Sequence, residues 1–281
     1  MKSIMELQKL SLQTRLELIR MFGFGKANHY GGSLSCVELA VATYFYKMRY
    51  SAQEATDPNR DRFIMAKGHA VPTQYVMLAL CGVFPLEELR TVKKMGTRLQ
   101  GHPDVRKTPG IEAPTGSLGQ GLSFANGMAL AARMDGLRFN IYVLLGDGEL
   151  QEGQIWEAAM TSAHQRIGNI CVLVDYNKFQ AQGSVNETKG LEPLEEKWRA
   201  FGWKTRSVDG HDLSQICGAL DDFNGAGEQP SVVIAHTIKG KGISFMENTY
   251  KYHNAAISEQ EFRTAEEEVL QKLQALALEQ R

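Results

Sequence analysis

Short apolar runs alternate with helical segments through the second half of the chain, and this alternation most restricts the fold. The predicted strands cover residues 141–145, 170–174, 204–208 and 232–235, and the helices between them cover 154–164, 193–201 and 213–223. The runs at 141–145 and 170–174 are almost continuously apolar. Such strands are buried on both faces, as in a parallel sheet covered by helices. The sequence therefore predicts an α/β fold with a doubly wound, mostly parallel sheet.

The rest of the chain fits one domain around that sheet. In chain order we predict helices over 35–48, 72–82, 85–96 and 120–134, a strand at 63–66 and a long loop over 97–118. Together with an amphipathic helix in the first twenty-odd residues, they place amino-terminal helices in about residues 1–50. Ser258 and Glu261 have the spacing of a capping box, which begins a last helix over about 258–281. We expect a single domain over residues 1–281.

Charge and cysteine content exclude several functional classes. The chain has 31 Lys and Arg against 32 Asp and Glu, so it offers no strongly basic surface for nucleic acid. No run approaches the roughly 18 apolar residues of a membrane span, and the charged start is unlike a signal peptide. We therefore expect a cytoplasmic protein that binds neither nucleic acid nor membrane. The four cysteines lie far apart without metal-ligand spacing and are expected to be buried apolar residues.

A Gly-Asp-Gly-Glu segment at 146–149 directly follows one predicted strand and precedes a helix. Open α/β sheets bind ligands at this end of their strands, and a helix N-terminus favours an anion. A carboxylate such as that of Asp147 repels a phosphate unless a cation lies between them. Asn177 follows the next strand, about one β-α-β unit later, and so lies beside Asp147. The pair predicts an all-oxygen site for Mg²⁺ or another divalent cation such as Ca²⁺ or Mn²⁺, rather than two ordinary turns.

These residues resemble the fingerprint of thiamine diphosphate enzymes, in which a metal holds the diphosphate of the cofactor. Further segments resemble transketolase motifs in order and spacing: NRDRF at 59–63, AKGHA at 66–70, GHP at 101–103, TGSLGQG at 115–121 and KYHN at 251–254. The likeness runs from about residue 15 to about residue 258. The chain thus resembles the cofactor-diphosphate (PP) domain of the transketolase family. It departs from the family pattern at Tyr30, where Pro is usual, and at Lys178, where a second Asn is common.

The resemblance implies a role for each matched residue. The metal ligands would be Asp147, Asn177 and the main-chain carbonyl of Phe179. The cofactor would contact His69, Gly116, Leu118, Gly146, Asp147, Gly148, Glu149, Asn177 and His253. The catalytic and substrate-binding residues would be His29, His69, His102 and His253. Imidazoles titrate near neutrality, so they can donate and accept protons in carbonyl addition and in C–C cleavage. Tyr30 could reshape the substrate channel.

The same resemblance implies a transketolase: an enzyme of carbohydrate metabolism that transfers a two-carbon ketol unit from a ketose (phosphate) to an aldose (phosphate). In this family a second domain supplies the Glu that activates the cofactor and most contacts to the substrate phosphate. The sequence ends at Arg281, just after the matching part. We therefore expect a split transketolase. A separate carboxy-terminal subunit would carry the pyrimidine-binding and C-terminal domains, in an α2β2 heterotetramer.

Three alternatives remain open at this point. A 2-oxo acid dehydrogenase component or a deoxyxylulose-phosphate synthase would share the metal motif, although the GHP and TGSLGQG segments argue against both. A non-catalytic regulatory subunit would keep the cofactor site without turnover. A nucleotide-binding module is disfavoured because the chain has neither GxxxxGK[ST] nor GxGxxG.

Overall fold

The computed structural model describes residues 2–53 and 56–278. Its centre is one five-stranded sheet in which every neighbouring pair of strands is parallel. The strands are β1 (Arg62–Met65), β2 (Ile141–Gly146), β3 (Ile170–Tyr176), β4 (Lys204–Asp209) and β5 (Ser231–His236). Their order across the sheet is β1-β2-β3-β5-β4. The predicted α/β fold with a parallel sheet is confirmed.

Helices cover both faces of the sheet. They are α1 (Ile4–Phe22), α2 (Tyr30–Ser35), α3 (Val37–Ala42), α4 (Val71–Leu80), α5 (Gly121–Met134), α6 (Gly153–His164), α7 (Val185–Lys189), α8 (Leu194–Ala200), α9 (Leu213–Asp221) and α10 (Glu259–Leu278). Short 3-10 segments lie at Gly68–Ala70, Leu86–Thr91, Gly148–Gln151 and Ser244–Met246, and a π-helical turn lies at Thr43–Lys47. Within residues 2–53 and 56–278, none of the helices has the length and apolar character that crossing a membrane requires.

Successive residues of each central strand enter two different cores, as the period of two in a strand dictates. Tyr142 and Leu144 of β2 pack with α1, α3, α4, α9 and α10. Val143 and Leu145 pack on the other side with α5, α6 and α8. This two-sided burial explains why β2 and β3 are continuously apolar in sequence. The doubly wound arrangement follows directly from that pattern.

Two predicted helices differ from the observed elements. The helix expected over 35–48 is divided at Cys36 into α2 and α3 and ends in the π-helical turn. The helix expected over 85–96 is only the 3-10 segment Leu86–Thr91, because Val92 is extended and Lys93 adopts a positive φ of 59°. The Lys93 ammonium reaches back to the Ala27 carbonyl, which turns this segment toward the amino-terminal region.

The final helix packs on the domain itself, as expected. Ser258 and Glu261 form the predicted capping box at its start. Ala265 and Val269 of α10 are fully buried in the core that contains α1, and Glu266 pairs with Arg20 at 2.6 Å. Three cysteines are buried and Cys81 is partly buried, so their predicted apolar role is confirmed.

Candidate functional site

A cavity of about 280 Å³ lies at the carboxyl ends of β2, β3 and β5. Its walls contain nine of the residues expected at the site: His69, Leu118, Gly146, Asp147, Gly148, Glu149, Asn177, Phe179 and His253. They also contain residues that the sequence analysis did not assign, among them Gly32, Lys67, Gln180 and Lys239. The strand ends therefore bring the two halves of the predicted metal site into one cavity.

Asp147 and Asn177 lie at matching ends of neighbouring strands. Gly146 of β2 is opposite Asp175 of β3, so Asp147 and Asn177 each follow directly after a paired strand end. The Asp147 carboxylate is buried and accepts the N–H of Gly148 at 2.7 Å. Burial, together with the nearby Asp175 carboxylate, raises the pKa of Asp147. A carboxylate whose charge is disfavoured in this way would be stabilised by a bound cation.

Asp175 orients the amide of Asn177. Its carboxylate is fully buried and accepts hydrogen bonds from Lys67 Nζ at 2.5 Å and from Asn177 Nδ2 at 2.9 Å. Burial alone would raise the pKa of Asp175, but the Lys67 ammonium and the hydroxyls of Ser35 and Thr237 together more than offset that effect and lower the pKa. Because the amide nitrogen of Asn177 is engaged with Asp175, its oxygen faces away from that carboxylate. Asn177 Oδ1 accepts the N–H of Phe179 at 3.1 Å, and its second lone pair is the one available to a ligand.

A cation at this position would need oxygen ligands other than carboxylates. No group of three or more His, Cys, Asp or Glu side chains that could hold a metal ion occurs in the described part of the chain. The candidate oxygens are those of Asp147, which accepts the N–H groups of Gly148 and Lys178, and those of Asn177 and the Phe179 carbonyl. The Phe179 carbonyl also accepts from Lys239, and a phosphate ligand would add its own oxygens. The side-chain oxygen of Gln180 is also buried at this cavity without a hydrogen-bond partner among the described residues. This donor set fits an oxygen-preferring cation and a diphosphate.

Lys239 is one of the cavity residues to which the sequence analysis assigned no role. It follows β5, is 1% exposed, and donates from Nζ to the carbonyls of Phe179 at 2.8 Å and Gln180 at 3.2 Å. Burial is the main cause of the lowered pKa of Lys239. The available signal was a lysine between a strand end and two glycines, Gly240 and Gly242. It adds a buried cation on the side of the cavity facing Asn177 and Asp147.

Four histidines from four separate segments meet at the cavity mouth. The ring centroid of His29 lies 5.2 Å from that of His69, 5.6 Å from His253 and 6.3 Å from His102, and the His69–His253 distance is 5.1 Å. An antiparallel bridge between Asn28 and Ala255 brings the first and last of these segments together. The predicted histidines are therefore one cluster in space.

The histidines are neutral near pH 7. Burial, assisted by Lys93, lowers the pKa of His29 to about 4, and burial with Lys239 lowers that of His253 to about 3. The pKa values of His69 and His102 are also lowered, again mainly by burial. Lys239 Nζ lies 2.9 Å from His253 Nδ1, so a protonated lysine donates to that nitrogen. The other nitrogen, Nε2, then carries the ring hydrogen of His253.

Two glycines of the matched motifs are required by close approaches. Gly116 has a φ of 143°, and a Cβ there would lie 2.8 Å from the ring of His102. A Cβ at Gly68 would lie 2.5 Å from the carbonyl oxygen of Thr115. Side chains at these positions would push the loop over 97–118 away from His69. The loop, which has no helix or strand as predicted, is thus held against the cavity.

Tyr30 belongs to the core rather than to the cavity lining. It is fully buried, its ring lies 4.8 Å from that of Phe22, and its hydroxyl donates to the Gly23 carbonyl at 3.0 Å. Any influence of Tyr30 on the substrate channel therefore acts through its neighbour His29.

A larger cavity of about 640 Å³ lies at the opposite, amino-terminal edge of the sheet. Its lining includes Arg49, Arg133, Arg138 and Arg166. None of the site residues expected from the sequence is part of that lining. The cavity at the carboxyl edge, and not this larger one, is therefore the candidate site.

Comparison with known proteins gives consistent matches over the whole chain. Residues 14–273 match the family model described as "Transketolase, thiamine diphosphate binding domain". The chain is 45% identical to the 6-deoxy-6-sulfo-D-fructose transketolase subunit SqwG of Clostridium sp. (strain MSTE9), covering 92% of this chain and 96% of that protein. It is 37% identical to an apulose-4-phosphate transketolase subunit of Phocaeicola vulgatus, covering 98% and 99% respectively.

Longer proteins named transketolase match over less than half of their length. The human transketolase is 31% identical, and the match covers 98% of this chain but 44% of that protein. The crystal structure of the transketolase from Campylobacter jejuni superposes with a TM-score of 0.87 at 28% identity, covering 96% of this chain and 43% of the other. A Pichia stipitis transketolase complex with sedoheptulose-7-phosphate gives a TM-score of 0.84 at 28% identity and covers 45% of that chain.

Proposed function

The chain belongs to the transketolase family through its thiamine diphosphate-binding domain, and we propose that it is the amino-terminal subunit of a two-chain transketolase. It would form one cofactor-binding domain over residues 1–281 and transfer a two-carbon ketol unit from a ketose (phosphate) to an aldose (phosphate). The observation that carries this proposal is the single cavity in which Asp147 and Asn177 lie below the histidine cluster.

The cavity residues divide into a metal set and a diphosphate set. Asp147, Asn177 and the Phe179 carbonyl would hold Mg²⁺, or Ca²⁺ or Mn²⁺ in its place. The diphosphate would contact Gly148, His69, His253 and Lys239, while Gly146 and Glu149 support the turn and Gly116 and Leu118 border the rings of the cofactor. When bound, thiamine diphosphate supplies the electron sink for C–C cleavage. The buried lysine and the glycine main chain, rather than a basic surface, would balance the phosphate charge.

Glu149 supports the main chain around the proposed cofactor site. Its carboxylate accepts the N–H of Gly119 at 3.0 Å and that of Gly146 at 3.1 Å, which ties the loop of the TGSLGQG segment to the end of β2. Burial is the main cause that raises the pKa of Glu149 to about 7. One side chain thus connects the segment proposed to border the rings of the cofactor with the strand end proposed to bind its diphosphate.

The neutral histidines supply hydrogen bonds and proton transfer. His69 and His102 would bind the hydroxyls of the two-carbon unit, and His29 and His253 would meet the acceptor sugar. His253 donates from Nε2, because its Nδ1 is engaged by Lys239. A neutral imidazole with a free nitrogen can accept the hydroxyl proton that must leave as the C–C bond breaks.

A partner subunit is part of the proposal. The chain covers 96% and 99% of two proteins named as transketolase subunits, and 44% of a longer protein named transketolase. The partner would carry the pyrimidine-binding and C-terminal domains, in an α2β2 heterotetramer with cofactor sites at the interfaces. Native mass spectrometry of the co-expressed pair would show the stoichiometry, and a different subunit ratio would contradict the heterotetramer.

The activity test is reconstitution. We expect ketol transfer only when the chain, its partner, thiamine diphosphate and a divalent cation are all present. Full ketol transfer by this chain alone would refute the two-chain assignment. Turnover of pyruvate in place of ketoses would indicate another class of thiamine diphosphate enzyme, and tight cofactor binding without turnover by the pair would indicate a regulatory subunit.

The donor sugar is best sought beyond ordinary pentose phosphates. Relatives that match along nearly their whole length are named for 6-deoxy-6-sulfo-D-fructose and for apulose-4-phosphate. We propose a six-carbon sulfo-ketose as the first donor to test, because the higher identity is to the first of these. The panel should include apulose-4-phosphate and xylulose 5-phosphate. Higher kcat/KM for either of those would overturn this choice while leaving the ketol transfer itself intact.

A further inference from the structure

Behind the cavity, three charged or polar side chains form a buried chain of contacts. Arg15 makes two parallel hydrogen bonds to Glu38, at 2.6 and 2.8 Å. The other partner of Glu38 is His211, whose Nδ1 lies 2.9 Å from Glu38 Oε2. Burial alone would raise the pKa of Glu38, but Arg15 and His211 more than offset it and lower that pKa to about 2. The Glu38 carboxylate is therefore charged and rigidly held.

This chain of contacts holds the segment after β5 at two main-chain atoms. The N–H of Ile238 donates to His211 Nε2 at 2.8 Å. Arg15 Nε donates to the carbonyl of Lys241 at 2.9 Å. A Cβ at Gly242, whose φ is 98°, would lie 2.6 Å from Arg15 Cδ, so the arginine packs directly under this backbone. Residues 238–241 are thus fixed at both ends.

Lys239 lies between the two fixed points and extends into the cavity on the other side. A Cβ at Gly31 would lie 2.9 Å from Lys239 Cγ, so the methylene groups of the lysine pack directly against the backbone of α2 at this glycine. Its ammonium meets the carbonyls of Phe179 and Gln180 and the ring of His253. The position of that ammonium therefore depends on this backbone, which His211 and Arg15 hold at its two ends. Between them, the Gly240 N–H donates to the Gly31 carbonyl at 3.1 Å and the Lys239 carbonyl accepts the N–H of Asn248 at 3.0 Å.

The hydrogen-bond pattern also determines the state of His211. Nε2 accepts the N–H of Ile238, so the ring hydrogen is on Nδ1 and points at Glu38. A neutral imidazole in this tautomer satisfies both neighbours at once, and the charged Glu38–Arg15 pair keeps the ring in that orientation. The sequence analysis expected no role for His211, because it matched no motif.

We propose that Arg15, Glu38 and His211 act as a clamp that positions Lys239 for the cofactor diphosphate, with His211 as the positioning residue. The proposal rests on the proposed cofactor site and goes beyond it, since none of the three side chains lines the cavity. A lysine side chain has many rotamers, and fixing its backbone reduces the entropy lost when its ammonium meets the diphosphate.

The test uses the reconstituted pair of subunits with Mg²⁺ present. His211→Ala removes the acceptor of the Ile238 N–H, and we expect the Kd for thiamine diphosphate, measured by calorimetry, to rise about tenfold. At saturating cofactor, kcat should remain within about twofold of wild type, because the reacting groups are untouched. His211→Gln offers a side-chain oxygen to Ile238 and should restore the Kd to within about threefold. His164→Ala, at the exposed end of α6, is the matched control and should leave the Kd unchanged.

A double-mutant cycle separates positioning of Lys239 from general loosening. If His211 acts through Lys239, the Kd of the Lys239→Ala/His211→Ala pair should equal that of Lys239→Ala alone. Hydrogen exchange of the cofactor-free protein should show faster exchange of amides 238–241 in His211→Ala and not in the control. Additive losses in the double variant, or an unchanged Kd in His211→Ala, would overturn the clamp.

Arg15→Lys tests the second anchor and carries the test if His211→Ala does not fold. It keeps a cation beside Glu38 but loses the hydrogen bond to the Lys241 carbonyl, so the Kd should again rise about tenfold. An unchanged Kd in a folded Arg15→Lys protein would overturn the proposal. Failure of the wild-type pair to bind thiamine diphosphate would instead reject the proposed function, and this is seen before any variant is made.

Discussion

Replacing Asp147 with Asn tests the metal assignment directly. The substitution keeps the shape of the side chain and one oxygen that can accept the N–H of Gly148, but it removes the charge that a divalent cation needs. We expect Asp147→Asn to fold and to lose binding of Mg²⁺ with thiamine diphosphate. Without cofactor, loss of a buried charge near Asp175 favours folding, and loss of one acceptor for the surrounding N–H groups opposes it. These two effects offset each other to within about 2 kcal/mol.

The expected size follows from ligand binding to the native state. A ligand at about 100 times its Kd adds about 2.7 kcal/mol to the free energy of unfolding. For a domain of this size, each kcal/mol added to the free energy of unfolding raises the melting temperature by about 2–4 °C. The melting temperature of the wild type should therefore rise by about 5–10 °C. Asp147→Asn should gain less than about 1 °C under the same conditions.

Thermal unfolding of the subunit pair, with and without Mg²⁺ and thiamine diphosphate, measures this gain. Asp135→Asn, at the exposed carboxyl end of α5, is the matched control and should keep the full wild-type gain. An equal gain in Asp147→Asn and wild type would refute the assignment of this carboxylate to the cation. Loss of the folded state in the cofactor-free variant would show that the residue is structural.

Two further perturbations test the histidine cluster. Because burial lowers the pKa of His29 from 6.5 to about 4, only the unfolded chain gains a proton as the pH falls below 6.5. Urea unfolding should therefore show a loss of stability between about pH 7.5 and 5.0 that is about 2 kcal/mol smaller in His29→Asn than in wild type and in His164→Asn, because the other buried histidines lose stability over the same range. Equal losses in all three proteins would contradict it. Gly116→Ala should lower kcat/KM about 100-fold by displacing His102. Gly136 also has a positive φ, 68°, but no atom lies within 4 Å of a Cβ there, so an equal effect of Gly136→Ala would contradict the steric cause.

The sheet and half of the site were predictable because their causes are local in sequence. Continuous apolar runs indicate strands buried on both faces, and the runs at β2 and β3 have that character. These two strands are consecutive and adjacent in the sheet, so Asp147 and Asn177 meet as the spacing of one β-α-β unit predicts. The capping box of α10 was predictable for the same reason, since its two partners lie three residues apart.

The histidine cluster was predicted only through resemblance to known motifs. His29 and His253 lie at opposite ends of the chain, and their contact depends on the bridge between Asn28 and Ala255. No local pattern encodes such a bridge, because the energy of pairing two distant segments depends on where the rest of the fold places them. The helix predicted over 85–96 ended early because Val92 and Lys93 leave helical backbone angles, which no residue pattern there indicated.

By itself, the sequence determined the α/β architecture, the two cores and the carboxylate–amide pair, because burial period and strand spacing are short-range properties. The tertiary structure alone decided that β5 lies between β3 and β4 rather than at the edge of the sheet beyond β4. That strand order places Lys239 against Phe179 and lets His211 and Arg15 reach its backbone from behind. Strand order follows from how whole layers pack, so residues far apart in sequence became one site only when the sheet was assembled.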